Sequence, residues 1–289
     1  MAVRKAFVAG QFYEGDAEAL RRRMRWCFEH PLGPGAVPET KHGLPKETVG
    51  LVCPHAGLIY SGPAAAWAWG ALAQDGQPST IVIMCPNHYG LGVPIAVSAA
   101  ECWQTPLGMV RIDRETAAKL VSEFAGASLD EAAHSREHSI EVQLPFIQTL
   151  FGGSVPIVPI AISAPSRSMV RSSQVLKILE LGRALARVLP PGAVIAASSD
   201  MTHQEPQDFA QRQDRMAIER MEALDAQGLL ETVDASNITT CGPLGVAAML
   251  TAAAQLGATK ARLLCYHTSG DAGAGYSSVV GYAAVQVTR

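Results

Sequence analysis

Long apolar runs are missing from this chain of 289 residues. No segment approaches the roughly 18 consecutive apolar residues that a membrane span needs, and the opening stretch MAVRKAFVAGQFY holds no apolar core of signal-peptide length. A soluble, cytoplasmic protein with no membrane partner is therefore expected. Charge is also scarce: charged residues make up 17% of the chain and the formal net charge is -3. The densest basic cluster, Arg21, Arg22, Arg23 and Arg25, falls in a helical stretch and reads as a solvated face. That leaves no basic groove for nucleic acid. The six cysteines stand singly, without a CxxC pair, which excludes a paired-cysteine zinc or dithiol motif and leaves reduced thiols in a chain too long to depend on disulfides. G-x-S-x-G and Walker patterns are absent as well. The loop Ser269 to Tyr276 is rich in glycine but lacks G-x-G-x-x-G spacing, so it reads as a turn rather than a phosphate cradle.

What is present is an apolar fraction of 48%, enough for a large core. Strand-like and helix-like segments alternate along the chain. A helix is expected over 16–29 with Asp16 as its cap, a loop from Pro31 to Pro45, strand 49–53, and a helix of about 61–74 capped by Ser61 with Pro63 in its first turn. Strand 80–85 comes next, then strand-like PIAVS and VRID around the turn Thr105-Pro106-Leu107-Gly108. Helices follow over about 114–124 and 137–150, then strand 155–162 and an amphipathic helix of about 168–188 with apolar Val170, Val175, Ile178, Leu181 and Leu185. Strand 193–198, helices near 207–222 and 243–256, and strands 261–267 and 277–287 complete the chain. No repeat or linker interrupts this order, so one three-layer α/β/α domain over 1–289 is expected. Its sheet should be mostly parallel or mixed, with the last strands antiparallel.

Three of the strand-like runs end in histidine: LVCPHAG with His55, IVIMCPNHYG with His88, and VIAASSDMTH with Asp200 and His203. Ligands of α/β sheets bind beyond the carboxyl ends of the strands, so these side chains are expected to meet. One helix separates His55 from His88, the spacing of adjacent crossover-linked strands. Singly, each histidine is as compatible with a structural hydrogen bond as with ligation. Asp200 can cap a following helix or act in the site, and His203 has the right chemistry for proton transfer. Cys241, beside Gly242 and Pro243 at a helix start, is placed where a helix dipole favours a thiolate. The segment HSREHSIEVQLPF offers His134, Glu137 and His138 as H-x-x-E-H, the spacing of inverted-motif zinc proteases, with two imidazoles one helical turn apart. A zinc-dependent hydrolase is one reading of it. The other is a capped helix packing Ile140, Val142 and Leu144 inward, and this one leaves the strand-end histidines their role.

The ordered set AGQFYEGD, PHAGLIYSGP, PNHYGLG, WQTPLG, EHSIEVQLPF, ASSDMTH, CGPLGV and TSGDAGAGYSSVVGYAA resembles the Memo family, whose prokaryotic members are called AmmeMemoRadiSam system protein B. The likeness runs from about residue 7 to the end. It implies a fold similar to the LigB-like class III extradiol dioxygenases, which hold nonheme Fe(II) through two histidines and a carboxylate. Carried onto this chain, it implies a metal pocket lined by His55, His88 and Cys241, with Asp200 and His203 beside it. It implies as well a dioxygenase-like oxidoreductase using iron or copper. Cys241 stands where the dioxygenases have a carboxylate, and a soft thiolate shifts preference toward copper or zinc. The substrate is expected to be a small molecule or a peptide. A fold does not by itself make an enzyme, so a non-catalytic metal-binding or protein-interaction role on the same scaffold is the alternative.

Overall fold

The computed structural model describes residues 2–164 and 174–289. Its strands are β1 (Val3–Arg4), β2 (Thr48–Cys53), β3 (Ile81–Pro86), β4 (Ile95–Val97), β5 (Cys102–Thr105), β6 (Gly108–Arg111), β7 (Ser128–Leu129), β8 (Ile157–Ile162), β9 (Val194–Ser198), β10 (His203–Glu205), β11 (Lys260–Thr268) and β12 (Val279–Thr288). The helices are α1 (Ala17–Glu29), α2 (Leu58–Asp75), α3 (Arg114–Glu123), α4 (Leu144–Phe151), α5 (Gln174–Val188), α6 (Gln207–Glu222), α7 (Ala226–Ala235) and α8 (Pro243–Gln255). The large sheet runs β10-β12-β2-β9-β3-β8-β4-β7, with β11 on the other side of β12. Its centre, β2-β9-β3-β8, is parallel, and β12 and β4 flank that centre antiparallel. β1, β5 and β6 form a separate small sheet.

Side-chain alternation divides the core into two halves. On β3, Ile81, Ile83 and Cys85 face the layer built by α1, α2 and α4, while Val82 and Met84 face α3, α5, α7 and α8. Successive strand residues point to opposite faces, and every residue of β2, β3, β8 and β9 is buried. The molecule is thus the expected α/β/α stack with a mixed sheet, and β11 and β12 pair antiparallel as expected.

Several expectations need correction. β9 lies between β2 and β3, so the His55 and His88 strands are next-but-one neighbours, not adjacent ones. Strand order follows from which crossover packs where, and the sequence distance between two strands does not specify it. α2 starts at Leu58, capped by the backbone of Gly57, and Pro63 sits beyond its first turn; the Ser61 hydroxyl donates to the Ala56 carbonyl at 2.8 Å instead of capping. The helix expected over 137–150 begins only at Glu141, as one 3-10 turn leading into α4. α7, the two-residue strands and β10 went unforeseen. The start of the helix expected from 168, with Val170, lies outside the described residues.

Candidate metal centre

β2, β9 and β3 are parallel neighbours, so their carboxyl ends deliver His55, Asp200 and His88 to one edge of the sheet. His55 is buried behind β2. Its Nδ1 lies 2.9 Å from the Ser198 hydroxyl at the end of β9. Ser198 has one proton, donated to the Ser139 carbonyl at 2.8 Å, and it accepts from Gln143 Nε2 at 2.9 Å. The His55 contact therefore has Nδ1–H donating, which leaves Nε2 with its lone pair. That atom is 3.3 Å from Cys241 Sγ.

His88 is set the same way by a different group. The fully buried Glu137 accepts the His88 backbone N–H at 2.7 Å and the ring Nδ1–H at 3.0 Å. A carboxylate on the far nitrogen fixes the tautomer and raises the basicity of Nε2, as in carboxylate–histidine–metal arrangements. Burial alone would raise the Glu137 carboxyl, but the hydrogen bonds from His88 and the Ser139 hydroxyl hold it well below the usual carboxylate range. The donor atoms of His55, His88 and Cys241 all lie within 4.8 Å of one another, as do those of His88, Glu137 and His138.

Cys241 reaches this edge because residues 239–242 zip onto the turn after β9. Asp200 N–H donates to Cys241 Sγ at 3.2 Å, Thr240 Oγ1 donates to the Asp200 carbonyl at 2.8 Å, and Gly242 N–H donates to Ser199 Oγ at 3.0 Å. Gly242 is required there, because a Cβ would stand 2.7 Å from the Ser198 carbonyl. Contrary to the thiolate expected at a helix start, burial pushes the Cys241 thiol well up, and the Asp200 carboxylate adds to the shift. Asp200 does not cap a helix: its Oδ1 accepts the His55 backbone N–H at 2.6 Å, and burial lifts its pKa to about 6 despite that bond. His203 stands on β10, half-buried. Its Nδ1–H donates to the Thr239 carbonyl at 2.9 Å and its backbone N–H to Thr239 Oγ1 at 2.8 Å, so Thr239 orients this ring.

Sequence reasoning gave His138 a role only in the zinc-hydrolase reading, and the structure puts it beside His55 and His88. Its ring stacks on His88 at 4.8 Å and meets His55 edge-on at 5.5 Å. Burial, then the neighbouring His88, draws its pKa down to about 4, and burial with His138 and His88 holds His55 well below its ordinary value. Both are neutral at pH 7 and free to act as donors to a cation. The H-x-x-E-H pair does not form one site. His134 is buried away from the cluster, donating Nε2–H to the Ala96 carbonyl at 3.1 Å against the Trp103 ring. With no helix over 134–140, its imidazole and that of His138 are not stacked by a helical turn. The motif marked the right segment for another reason: it supplies Glu137 to His88. Arg4 holds that segment, donating from Nε to the His134 carbonyl at 3.1 Å and from Nη2 to the Glu137 carbonyl at 2.7 Å, and pairing through Nη1 with buried Glu141.

The family described as Memo-like protein matches residues 4–286. A MEMO1 family protein of Methanopyrus kandleri is 45% identical over 289 residues, covering 99% of each chain. Another, of Ignicoccus hospitalis, is 44% identical with the same coverage. Among solved structures, an uncharacterized protein from Escherichia coli K12 superposes with a TM-score of 0.53 at 17% identity, over 83% of this chain and 99% of that one, a likeness of fold alone. Among the described residues no helix is long and apolar enough to cross a membrane. The strand-end histidines, the zipped cysteine turn and near full-length identity above 40% lead to one statement: this chain belongs to the Memo-like protein family.

Proposed function

We propose that the chain is a mononuclear metal-dependent oxidoreductase whose ion, Fe(II) or copper with zinc fitting the same donors, is held by His55, His88 and Cys241. The observation that carries this reading is the pair of tautomers. Ser198 and Glu137 independently occupy the Nδ1–H of His55 and His88, leaving each Nε2 its lone pair, and one donor atom from each ring and Cys241 Sγ lie within 4.8 Å of one another. Two imidazoles and a sulfur suit redox-active ions, and such an ion supplies one-electron chemistry with dioxygen or a reactive oxygen species as co-substrate. Cys241 would enter as thiolate, since a coordinating thiol is deprotonated whatever burial does to the free group.

Around the ion each residue has its own task. Glu137 keeps the His88 ring aimed and basic. Ser198, itself held by Gln143, does so for His55. Asp200 fixes the backbone of His55. His203, with Nδ1–H spent on Thr239, has Nε2 available to take a proton from substrate and return it.

The test is elemental analysis of protein purified without oxygen or chelators, with oxygen consumption followed on the same samples. Near-stoichiometric iron or copper that falls in Cys241→Ala and is lost in His55→Ala/His88→Ala is expected. Full metal content in the double variant would sink the ligand assignment. Tight metal binding without oxygen or peroxide turnover would leave a metal-binding protein that is not an enzyme.

A further inference from the structure

Of the arginines crowded onto α1, Arg22 and Arg23 are paired and Arg21 and Arg25 are not. Arg22 meets Glu18 at 3.8 Å and Arg23 meets Glu14 at 2.7 Å, while Arg21 and Arg25, both exposed, have no carboxylate partner among the described residues. Residues four apart are neighbours on a helix face, and like charges at that spacing repel. Both side chains line a cavity of about 470 Å³ whose wall holds no carboxylate side chain. Three other basic cavities each have one: Glu131, Glu14, or Glu47 with Asp75. The apolar wall is Val37, Leu107 and Met109, and of these Val37 and Met109 are exposed. Gln148 and Thr149 are held within the fold: the Gln148 side chain accepts from the Thr105 hydroxyl at 2.6 Å and donates to the Gly108 carbonyl at 3.1 Å, and the Thr149 hydroxyl donates to the Pro145 carbonyl at 2.7 Å. The main chain of Gly152 and Gly153, at the exit of α4, completes the wall. Two carbonyls at that helix end are already served by hydroxyls and not by the arginines, Leu150 by Thr40 at 2.7 Å and Phe151 by Ser154 at 2.7 Å.

We propose that this cavity binds a small organic dicarboxylate with an apolar body, one carboxylate on each of Arg21 and Arg25 and the body against Val37, Leu107 and Met109. The site is independent of the metal centre, because the cavity shares no residue with His55, His88 or Cys241. A guanidinium is a planar fork that takes a carboxylate through two parallel N–H donors. Two such forks one helical turn apart, with no carboxylate of the protein between them, call for two negative charges in the ligand. A bound dianion turns the repulsion between the arginines into a shared attraction. Small-molecule sites of about 300–1,000 Å³ combine apolar walls with a few polar groups that fix orientation, and the cavity has that size and that make-up. Exposed charges are screened by salt, so the guanidiniums select the ligand and burial of its apolar body adds to the affinity.

Isophthalate, two carboxylates on one benzene ring, is the probe. Benzoate keeps the ring with one charge, and malonate keeps two charges with almost no apolar body. Isothermal titration calorimetry of the full-length protein at low salt should give saturable one-to-one binding of isophthalate, with benzoate and malonate each at least tenfold weaker. Arg21→Gln and Arg25→Gln should each weaken isophthalate at least fivefold; both positions are exposed and glutamine is a good helix former, so the variants keep the fold. Arg22→Gln takes the same charge from the same helix, at an arginine that Glu18 already holds, and should leave the affinity within twofold. Absent saturable isophthalate binding, or benzoate or malonate binding as tightly, would overturn the proposal. An Arg22→Gln loss equal to that of Arg21→Gln would do the same, because net charge alone would then account for it. His55→Ala/His88→Ala should bind isophthalate as the wild type does, whether or not the histidines hold metal; loss of binding there would move the ligand to the metal centre and sink the separate site.

Discussion

Glu137 shows how much of a site one buried carboxylate can organise. Both oxygens serve His88, one through its backbone N–H and one through its ring, and Ser139 donates to the same group through its amide at 3.0 Å and its hydroxyl at 2.6 Å. Glu137→Gln keeps the shape and removes the charge that holds Nδ1–H in place. Metal affinity is expected to fall about 10- to 100-fold, the usual effect of losing a ligand's carboxylate partner, with the fold intact; titration against a chromophoric chelator measures it. Unchanged affinity would mean that His88 is not a ligand or does not need orienting. Arg4 acts on the same segment from behind. It is almost fully buried, with its guanidinium 4.5 Å from the Trp103 ring, and its partner Glu141 also accepts from the Phe7 and Val8 amides and the Tyr13 hydroxyl. Arg4→Ala strands Glu141 as a buried charge, and removal of one member of such a pair costs about 3–5 kcal/mol. Urea unfolding should show that loss. Metal content should drop with it, because the carbonyls of His134 and Glu137 lose their donor.

At the scale of elements, the joint between α2 and β2 depends on Asp75. Its carboxylate receives the amides of Thr48 at 2.7 Å, Glu47 at 3.0 Å and Lys46 at 3.3 Å, fixing where β2 enters the sheet and hence where His55 emerges. Burial works to raise its pKa, but the Thr48 and Glu47 amides outweigh it and the pKa is lowered. A carboxyl depressed in the folded state contributes stability that is present above its unfolded value near 3.9 and vanishes as pH falls through the folded value. Asp75→Asn should therefore be less stable at pH 7, by about 1 kcal/mol given the partial exposure of the group. The difference should close below about pH 4; a gap that persists at pH 2 would mean that charge is not the cause. Elements such as β2, β3, β8, β9 and α1 were legible in the sequence because local signals set them: unbroken apolar runs, and the Asp16 side chain accepting from Ala19 N–H at 2.8 Å. What was not legible depended on distant partners. Residues 134–140 are kept out of a helix while Arg4 claims their carbonyls, 130 residues and more away in sequence. α7 is short and has Gly228 in its first turn, which weakens a periodic signal even with Asp225 as a cap.

Over the whole molecule, the candidate centre draws on five separated stretches: the turns after β2, β3 and β9, the Glu137–Ser139 segment and the Thr239–Gly242 turn. His55, His88, Asp200 and His203 were readable from strand ends and Cys241 from a helix start. The groups that orient them were not, since Ser198, Gln143, Glu137 and Thr239 acquire their tasks only when the stretches meet. An unfolded chain scatters these donors, so a cation that binds them all binds the native state and stabilises the entire fold through mass action. At a free ion concentration 100 times the dissociation constant, that stabilisation is about 2.7 kcal/mol. For a chain of this size it corresponds to a rise in Tm of roughly 4–5 °C. Chelator-treated protein given Fe(II) under anaerobic conditions, or Cu(I), should show that rise by calorimetry, and His55→Ala/His88→Ala should show none. Equal rises in both would place the ion at some other site, and no rise in the wild type would mean that the three donors, close as they are, do not bind a metal ion.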